Sequence, residues 1–134
     1  MTDHYQVEGA VVTVTIDRSS VRNAVDPESA AALADCFRRF ATDEKLAVAI
    51  LTGAGGNFCA GFDLRSMASG TPNRLSEDGD GPLGPTRLEL DKPVIAAIEG
   101  YAVAGGSSWR CGATSGSPPA MPPWASSTAA SACR

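Results

Sequence analysis

Val48-Ala49-Ile50-Leu51-Thr52-Gly53-Ala54-Gly55-Gly56-Asn57-Phe58-Cys59-Ala60-Gly61-Phe62-Asp63-Leu64 carries an aliphatic run into a glycine-punctuated loop. A second stretch has the same order: Val94-Ile95-Ala96-Ala97-Ile98, then Glu99-Gly100-Tyr101-Ala102-Val103-Ala104-Gly105-Gly106. Loops at strand ends that open into helices present backbone N–H groups, and such groups hold anions. Two of them facing one point can hold a single developing oxyanion.

The flanking sequence supplies the frame for these loops. Residues 5–8, then Gly9, then residues 11–16 alternate as a hairpin with a longer second strand. Asp26-Pro27-Glu28 has the order of a helix start: an N-cap acceptor, proline at the first helical position and a carboxylate near the positive dipole end. The spacing predicts a helix to about Ala41, with Ala30, Leu33, Ala34, Phe37 and Phe40 on one stripe. A buried strand is expected over residues 46–52 and a short helix over 63–67. Residues 69–85 are rich in Gly, Pro, Ser and Asp, so a mobile surface loop is expected. A short helix over 86–90 and a buried strand over 94–98 complete a mixed α/β domain.

The chain has 134 residues, enough for one domain and a sizeable core. Its net charge of −4 argues against a nucleic-acid or polybasic membrane partner. No apolar run approaches the roughly 20 residues of a membrane span. Met1-Thr2-Asp3-His4 lacks a basic and apolar leader, so a cytoplasmic location is expected. Cys36, Cys59, Cys111 and Cys133 are spaced as reduced thiols, with neither a disulfide frame nor a zinc site. His4 is the single histidine and sits beside a terminus expected to be mobile, so no metal site is expected.

After Gly106 the composition breaks. Residues 107–134 contain no Val, Ile, Leu, Asp, Glu or Lys, but seven serines, six alanines and four prolines. Such a segment supplies no aliphatic stripe, and Pro118-Pro119 and Pro122-Pro123 forbid a long helix. Two domains of description follow: residues 1–106, which fold, and residues 107–134, a low-complexity tail expected to be disordered. A change of coding frame is an alternative origin for this tail. In the frame one base earlier, GC-rich codons permit L-E-L-A-L-W-C-D-L-R-V and then A-A-G-D-A-A-V-G-V-F-Y-R-R-F-G-V-P, with no stop.

Residues 5–106 resemble the amino-terminal half of the enoyl-CoA hydratase/isomerase (crotonase) family. Asp17-Arg18-Ser19-Ser20-Val21-Arg22-Asn23-Ala24 resembles its first CoA-binding turn, residues 58–64 its central signature, and residues 93–106 its second. The resemblance implies a crotonase-like spiral of ββα turns, here truncated, in a family that assembles as trimers or dimers of trimers. It implies a substrate that is an acyl-CoA thioester, with coenzyme A as part of the substrate and no separate cofactor. By resemblance the N–H groups of Phe62 and Gly105 donate to the thioester oxygen. Ala24, Ala60, Asp63 and Leu64 match positions along the CoA path. Arg22 either meets a CoA phosphate, because a guanidinium suits phosphate geometry, or is a solvated loop arginine. Asn23 fixes its own turn by local hydrogen bonding, and Asp63 equally suits a helix cap.

The departures are as informative. Hydratases of this family use two glutamates as acid and base. The first follows the second loop by two residues, and that place is Ser108, which is no carboxylate base near neutral pH. The second falls within the tail, where no carboxylate exists. The shifted reading restores the first glutamate and puts tyrosine near the second place. Glu89, Asp91 and Glu99 read as surface charges. The resemblance therefore implies a protein impaired in turnover and lacking the usual trimerisation region. A second reading is a non-catalytic acyl-CoA-binding fragment, or one complemented by another polypeptide. A nucleotide-binding α/β domain is disfavoured, because the first loop is not G-x-G-x-x-G and lacks the Lys-Ser/Thr of a phosphate loop. The coding DNA around Gly106 should accommodate the second reading throughout; a stop or an incompatible codon in that frame overturns the frame-change origin.

Overall fold

The computed structural model describes residues 4–107. The expected disorder of the tail, and Ser108, lie outside the described residues. Four strands form one sheet in the order β1-β2-β3-β4: His4–Glu8, Val11–Ile16, Val48–Gly53 and Val94–Ala96. Strands β1 and β2 are the expected antiparallel hairpin, turning at Gly9-Ala10. Strands β2 and β3 are parallel, as are β3 and β4. Parallel neighbours need a crossover, and helix α1, Pro27–Thr42, supplies the first.

Helix α1 begins as its sequence predicts. Asp26 Oδ1 accepts from the Ser29 N–H at 2.8 Å, and Pro27 stands at the first helical position. Ala30, Leu33, Ala34, Phe37 and Phe40 are all buried. Ala30, Leu33, Phe37 and Phe40 share one core cluster with the inward residues of the sheet: Val12, Val14 and Ile16 from β2, Ala49 and Leu51 from β3, Val94 and Ala96 from β4. Burial of a Phe or Leu side chain contributes about 1.5–3 kcal/mol, so this stripe is the main stabilising face. At the other end Lys92 Nζ donates to the carbonyls of Phe40 (3.0 Å) and Asp43 (2.6 Å), a cation placed on the negative end of the helix.

Several sequence expectations shift, each for a local reason. Leu46 is buried but precedes β3, because its N–H closes a turn on the Asp43 carbonyl at 3.1 Å. Strand β4 stops at Ala96, where the Thr52 hydroxyl begins to compete for the ladder by bonding the Ala97 carbonyl at 3.2 Å. Ile95 is exposed, so β4 buries one face only. The expected helix over 86–90 is a single 3-10 turn, Pro85–Arg87; Leu88 and Leu90 then pack on the core from extended backbone. His4 is not a loose terminus but pairs within β1, its ring 3.1 Å from Asp17. The segment 69–85 is not a free loop. Asn73, Gly81, Leu83, Gly84 and Pro85 are buried and fasten it to the body of the fold.

One polar side chain joins the first turn to the first glycine loop. Asn23 is fully buried; its Oδ1 accepts from the Arg18 N–H at 2.8 Å, and its Nδ2 donates to the carbonyls of Ala54 (2.8 Å) and Asn57 (2.6 Å). Local bonding within its turn was expected; the reach to the distant loop was not. Replacing Asn23 with Ala removes three hydrogen bonds to half-buried backbone groups, a loss of about 3 kcal/mol. Asn23→Ala should lower the thermal midpoint by at least ~10 °C, measured by circular dichroism. An unchanged midpoint contradicts this role.

Candidate active site

The chain from Phe58 to Asp63 lies between two neighbours. On one side the turn after β2 contributes Arg22 to Val25. The Ala60 N–H donates to the Arg22 carbonyl (3.1 Å), the Val25 N–H to the Gly61 carbonyl (2.8 Å), and the Asp63 N–H to the Val25 carbonyl (3.0 Å). On the other side the Cys59 N–H donates to the Tyr101 carbonyl (2.9 Å) and the Val103 N–H to the Cys59 carbonyl (3.2 Å). Cys59 and Ala102 are thus paired in parallel, and so are Val25 and Phe62. The two glycine loops run side by side.

This pairing orients Phe62. Both residues flanking it bond to Val25, through the Gly61 carbonyl and the Asp63 N–H. Alternation along an extended chain then directs the N–H of Phe62 away from Val25, toward the side of the second loop. Three residues on from the Cys59–Ala102 pair the loops still touch, where Gly61 meets Gly105. The N–H groups of Phe62 and Gly105 have no acceptor among the described residues. Gly105 stands at the start of a 3-10 turn, Ala104–Ser107, where N–H groups are unpaired by the turn itself.

Glycine is required where the loops touch. Gly61 has φ of +93°, and a Cβ there would lie 2.9 Å from the Gly105 nitrogen. Any side chain would be strained and would also push the second donor away. Behind Gly105 sits the buried side chain of Leu83, whose Cδ1 would be 3.0 Å from a Cβ on Gly105. Ala104 itself has φ of +50°, a conformation that costs a non-glycine residue strain.

The remaining sequence-predicted residues surround this junction. Ala24 is buried, and its carbonyl accepts from Arg18 Nη1. Ala60 is half-buried between the two loops, and Phe62 packs its ring on the core. Leu64 is 74% exposed at the first position of helix α2, Leu64–Ala68. Arg22 is exposed, with φ of +53°, and its guanidinium lies 5.0 Å from the centre of the Tyr101 ring. Asp63 is buried and both its oxygens are engaged. Oδ1 caps α2 by accepting from the Arg65 N–H (3.0 Å), while Oδ2 meets Arg18 Nη2 at 2.9 Å. Capping, one of the two roles open to Asp63, is thus present in the fold. Glu89, Asp91 and Glu99 are exposed.

Three contributors were not singled out from the sequence. Arg18 joins Asp63 to Asp26, whose Oδ2 is 3.0 Å from the same nitrogen. Its role depends on a carboxylate 45 residues away, which no local pattern reveals. Leu83 and Asn73 lie in the segment whose composition reads as loop. Burial opposes ionisation of Asp63, but the Arg18 guanidinium and the backbone N–H groups of Arg65 and Ser66 outweigh it and hold the carboxyl below its ordinary value. Burial pushes the Cys59 thiol up to about 11, so it is protonated at neutral pH and is no nucleophile. Among the described residues no three His, Cys, Asp or Glu side chains group as metal ligands. No helix there is long and apolar enough to cross a membrane.

The sequence model of the enoyl-CoA hydratase/isomerase family matches residues 6–111, and both glycine loops fall within the match. The chain belongs to this family. A carnitinyl-CoA dehydratase of Proteus mirabilis is 43% identical over 105 residues, 77% of this chain and 40% of that protein. An enoyl-CoA hydratase of Mycobacterium tuberculosis is 39% identical over 106 residues, 74% of this chain and 39% of that protein. The solved enoyl-CoA hydratase from Mycobacterium tuberculosis H37Rv superposes with a TM-score of 0.78 at 40% identity, over 85% of this chain and 44% of the other. A carnitinyl-CoA hydratase from Mycobacterium avium gives 0.78 at 33% identity, over 84% and 44%. The fold is therefore the crotonase fold, and the chain spans about two fifths of the curated relatives it matches.

The Asp63 geometry predicts an acid limb. The folded chain holds this carboxyl ionised more tightly than the unfolded chain does. The stability it contributes is complete above the unfolded carboxylate value, about 3.9. It is lost as pH falls through the lower folded value. Urea midpoints between pH 7 and pH 3 should fall less steeply in Asp63→Asn, which keeps the cap but loses the ion pair. Parallel pH curves for the two proteins contradict the assignment.

Proposed function

We propose that this chain binds an acyl-CoA thioester and polarises its carbonyl between the backbone N–H groups of Phe62 and Gly105. The observation that carries the reading is their proximity: two N–H groups without acceptors among the described residues, on loops that meet where a Cβ on Gly61 would lie 2.9 Å from the Gly105 nitrogen. When the carbon next to a thioester loses a proton, electron density moves to the carbonyl oxygen. Two fixed donors stabilise that enolate oxygen more than the neutral carbonyl, which is what lowers a barrier. Loss of one such donor typically costs about 2.7–4 kcal/mol of transition-state stabilisation.

Arg22, Ala24, Ala60 and Leu64 border the approach along which the CoA portion lies in this reading. Arg22 pairs with no carboxylate among the described residues, and its guanidinium suits a phosphate. Asp63 acts at one remove, by holding α2 and Arg18 in place. A side-chain base is the missing part. Ser108 stands where family hydratases carry glutamate, and Cys59 is a buried thiol. The chain as it stands therefore binds and polarises the thioester without hydrating it.

Isotope-edited infrared or Raman spectra of bound acyl-CoA carrying a 13C thioester carbonyl test this reading. The carbonyl band should move to lower frequency on binding. Gly105→Pro, which removes the N–H, should abolish most of the shift. Gly105→Ala should keep more of it, because its methyl crowds the flexible Leu83 side chain at 3.0 Å and meets the Gly61 backbone at an ordinary 3.5 Å. No shift with bound ligand overturns the oxyanion-hole reading, and hydration of crotonyl-CoA by the purified chain overturns the inactivity.

A further inference from the structure

Asn73 is a buried polar residue in a segment whose composition reads as loop. It is 4% exposed. Its Nδ2 donates to two carbonyls, Val25 at 3.2 Å and Pro82 at 2.8 Å. Its Oδ1 has no partner among the described residues. Turning the amide over would set its oxygen against both carbonyls, so the two donations fix its orientation.

The two carbonyls it ties together belong to opposite sides of the oxyanion site. Val25 holds the chain on either side of Phe62, through the Gly61 carbonyl and the Asp63 N–H. The Val25 carbonyl thus serves Asp63 and Asn73 together. Pro82 precedes Leu83, the side chain that backs Gly105. One amide therefore connects the support of the first donor to the support of the second. No other side chain among the described residues bonds both limbs.

We propose that Asn73 is a positioning residue that sets the spacing between the Phe62 and Gly105 donors. The inference rests on the thioester-polarising reading. Asn73 touches neither donor directly; it acts through Val25 on one and through Pro82-Leu83 on the other. Its removal loosens the alignment of the donors while leaving the Arg22 side of the site in place.

The test separates alignment from binding and from folding. In Asn73→Ala, affinity for CoA lacking an acyl group should stay within threefold of the parent. The downshift of the 13C thioester carbonyl should fall by at least half. Asn73→Ser, whose hydroxyl donates to one carbonyl only, should give an intermediate shift. On the unsubstituted chain, acyl-CoA should slow exchange of the Asn73 side-chain amide protons together with the N–H of Phe62 and Gly105, seen by NMR. A full carbonyl shift in either folded variant overturns the proposal, as does Asn73 exchange that ignores the ligand while the two donors respond. If the parent chain itself shows no carbonyl shift, the oxyanion-hole reading fails first. If the parent shifts, Gly105→Pro does not and Asn73→Ala still does, the positioning role alone fails.

Discussion

A primary amide buried away from water must find protein partners, and Asn23 finds them in two segments that the chain brings together only late. Its oxygen takes the Arg18 N–H in its own turn, and its nitrogen takes the carbonyls of Ala54 and Asn57 across the first loop. Gly53 makes this approach feasible. A Cβ there would stand 2.7 Å from Asn23 Nδ2 and 2.1 Å from the Asn57 carbonyl oxygen. The loop after β3 is thereby fastened to the turn after β2. Everything downstream inherits that placement: the Ala60–Arg22 and Val25–Gly61 bonds, and the course of Phe58 to Asp63 beside the second loop.

A second constraint follows from charge. Arg18 is mostly buried between two carboxylates, each of which caps a helix: Asp26 starts α1 and Asp63 starts α2. Two caps and one guanidinium leave the cluster with one net negative charge. Its hydrogen bonds to a backbone carbonyl and to both acids offset the desolvation that would otherwise make such burial unfavourable. The arrangement keeps Asp63 from acting as a free carboxylate near the loops. It also fixes the chain one residue after Phe62, so the donor's neighbours on both sides are immobilised by groups that do no chemistry.

The strands, α1 and the two loops were legible because each rests on local signals: alternation, a capping aspartate before proline, glycine after an aliphatic run. The stripe from Ala30 to Phe40 is buried as its spacing requires. What failed was composition used as a proxy for exposure. The segment 69–85 looks like a loop by its Gly, Pro and Ser, and it has almost no regular structure. Yet Asn73, Leu83 and Pro85 are buried in it, because irregular backbone can still be fastened by side-chain bonds and packing. Arg18 escaped notice for a related reason: its partners are fixed by topology, and an arginine in a turn looks solvated from sequence. Phe62 and Gly105 were named through resemblance; that their loops run side by side needed the Cys59–Ala102 bridge.

A backbone donor makes no demand on the side chain of the residue that carries it. An N–H offers the same proton whichever residue carries it, so the ring of Phe62 is available for packing on the core. What cannot vary freely is the geometry that aims the donors. Gly61 must lack a side chain to let the loops meet, and Ala104 must hold φ of +50° to bring Gly105 round. The strain at Ala104 costs free energy that the neighbouring bonds, Val103 to Cys59 and Gly106 to Val103, must offset. Catalytic specialisation in such a scaffold is thus divided. In the thioester-polarising reading proposed above, the described backbone carries the electrostatic part, which is shared by any reaction passing through a thioester enolate. In that reading the choice among those reactions rests with the side chains that move protons, which an N–H pair alone does not specify.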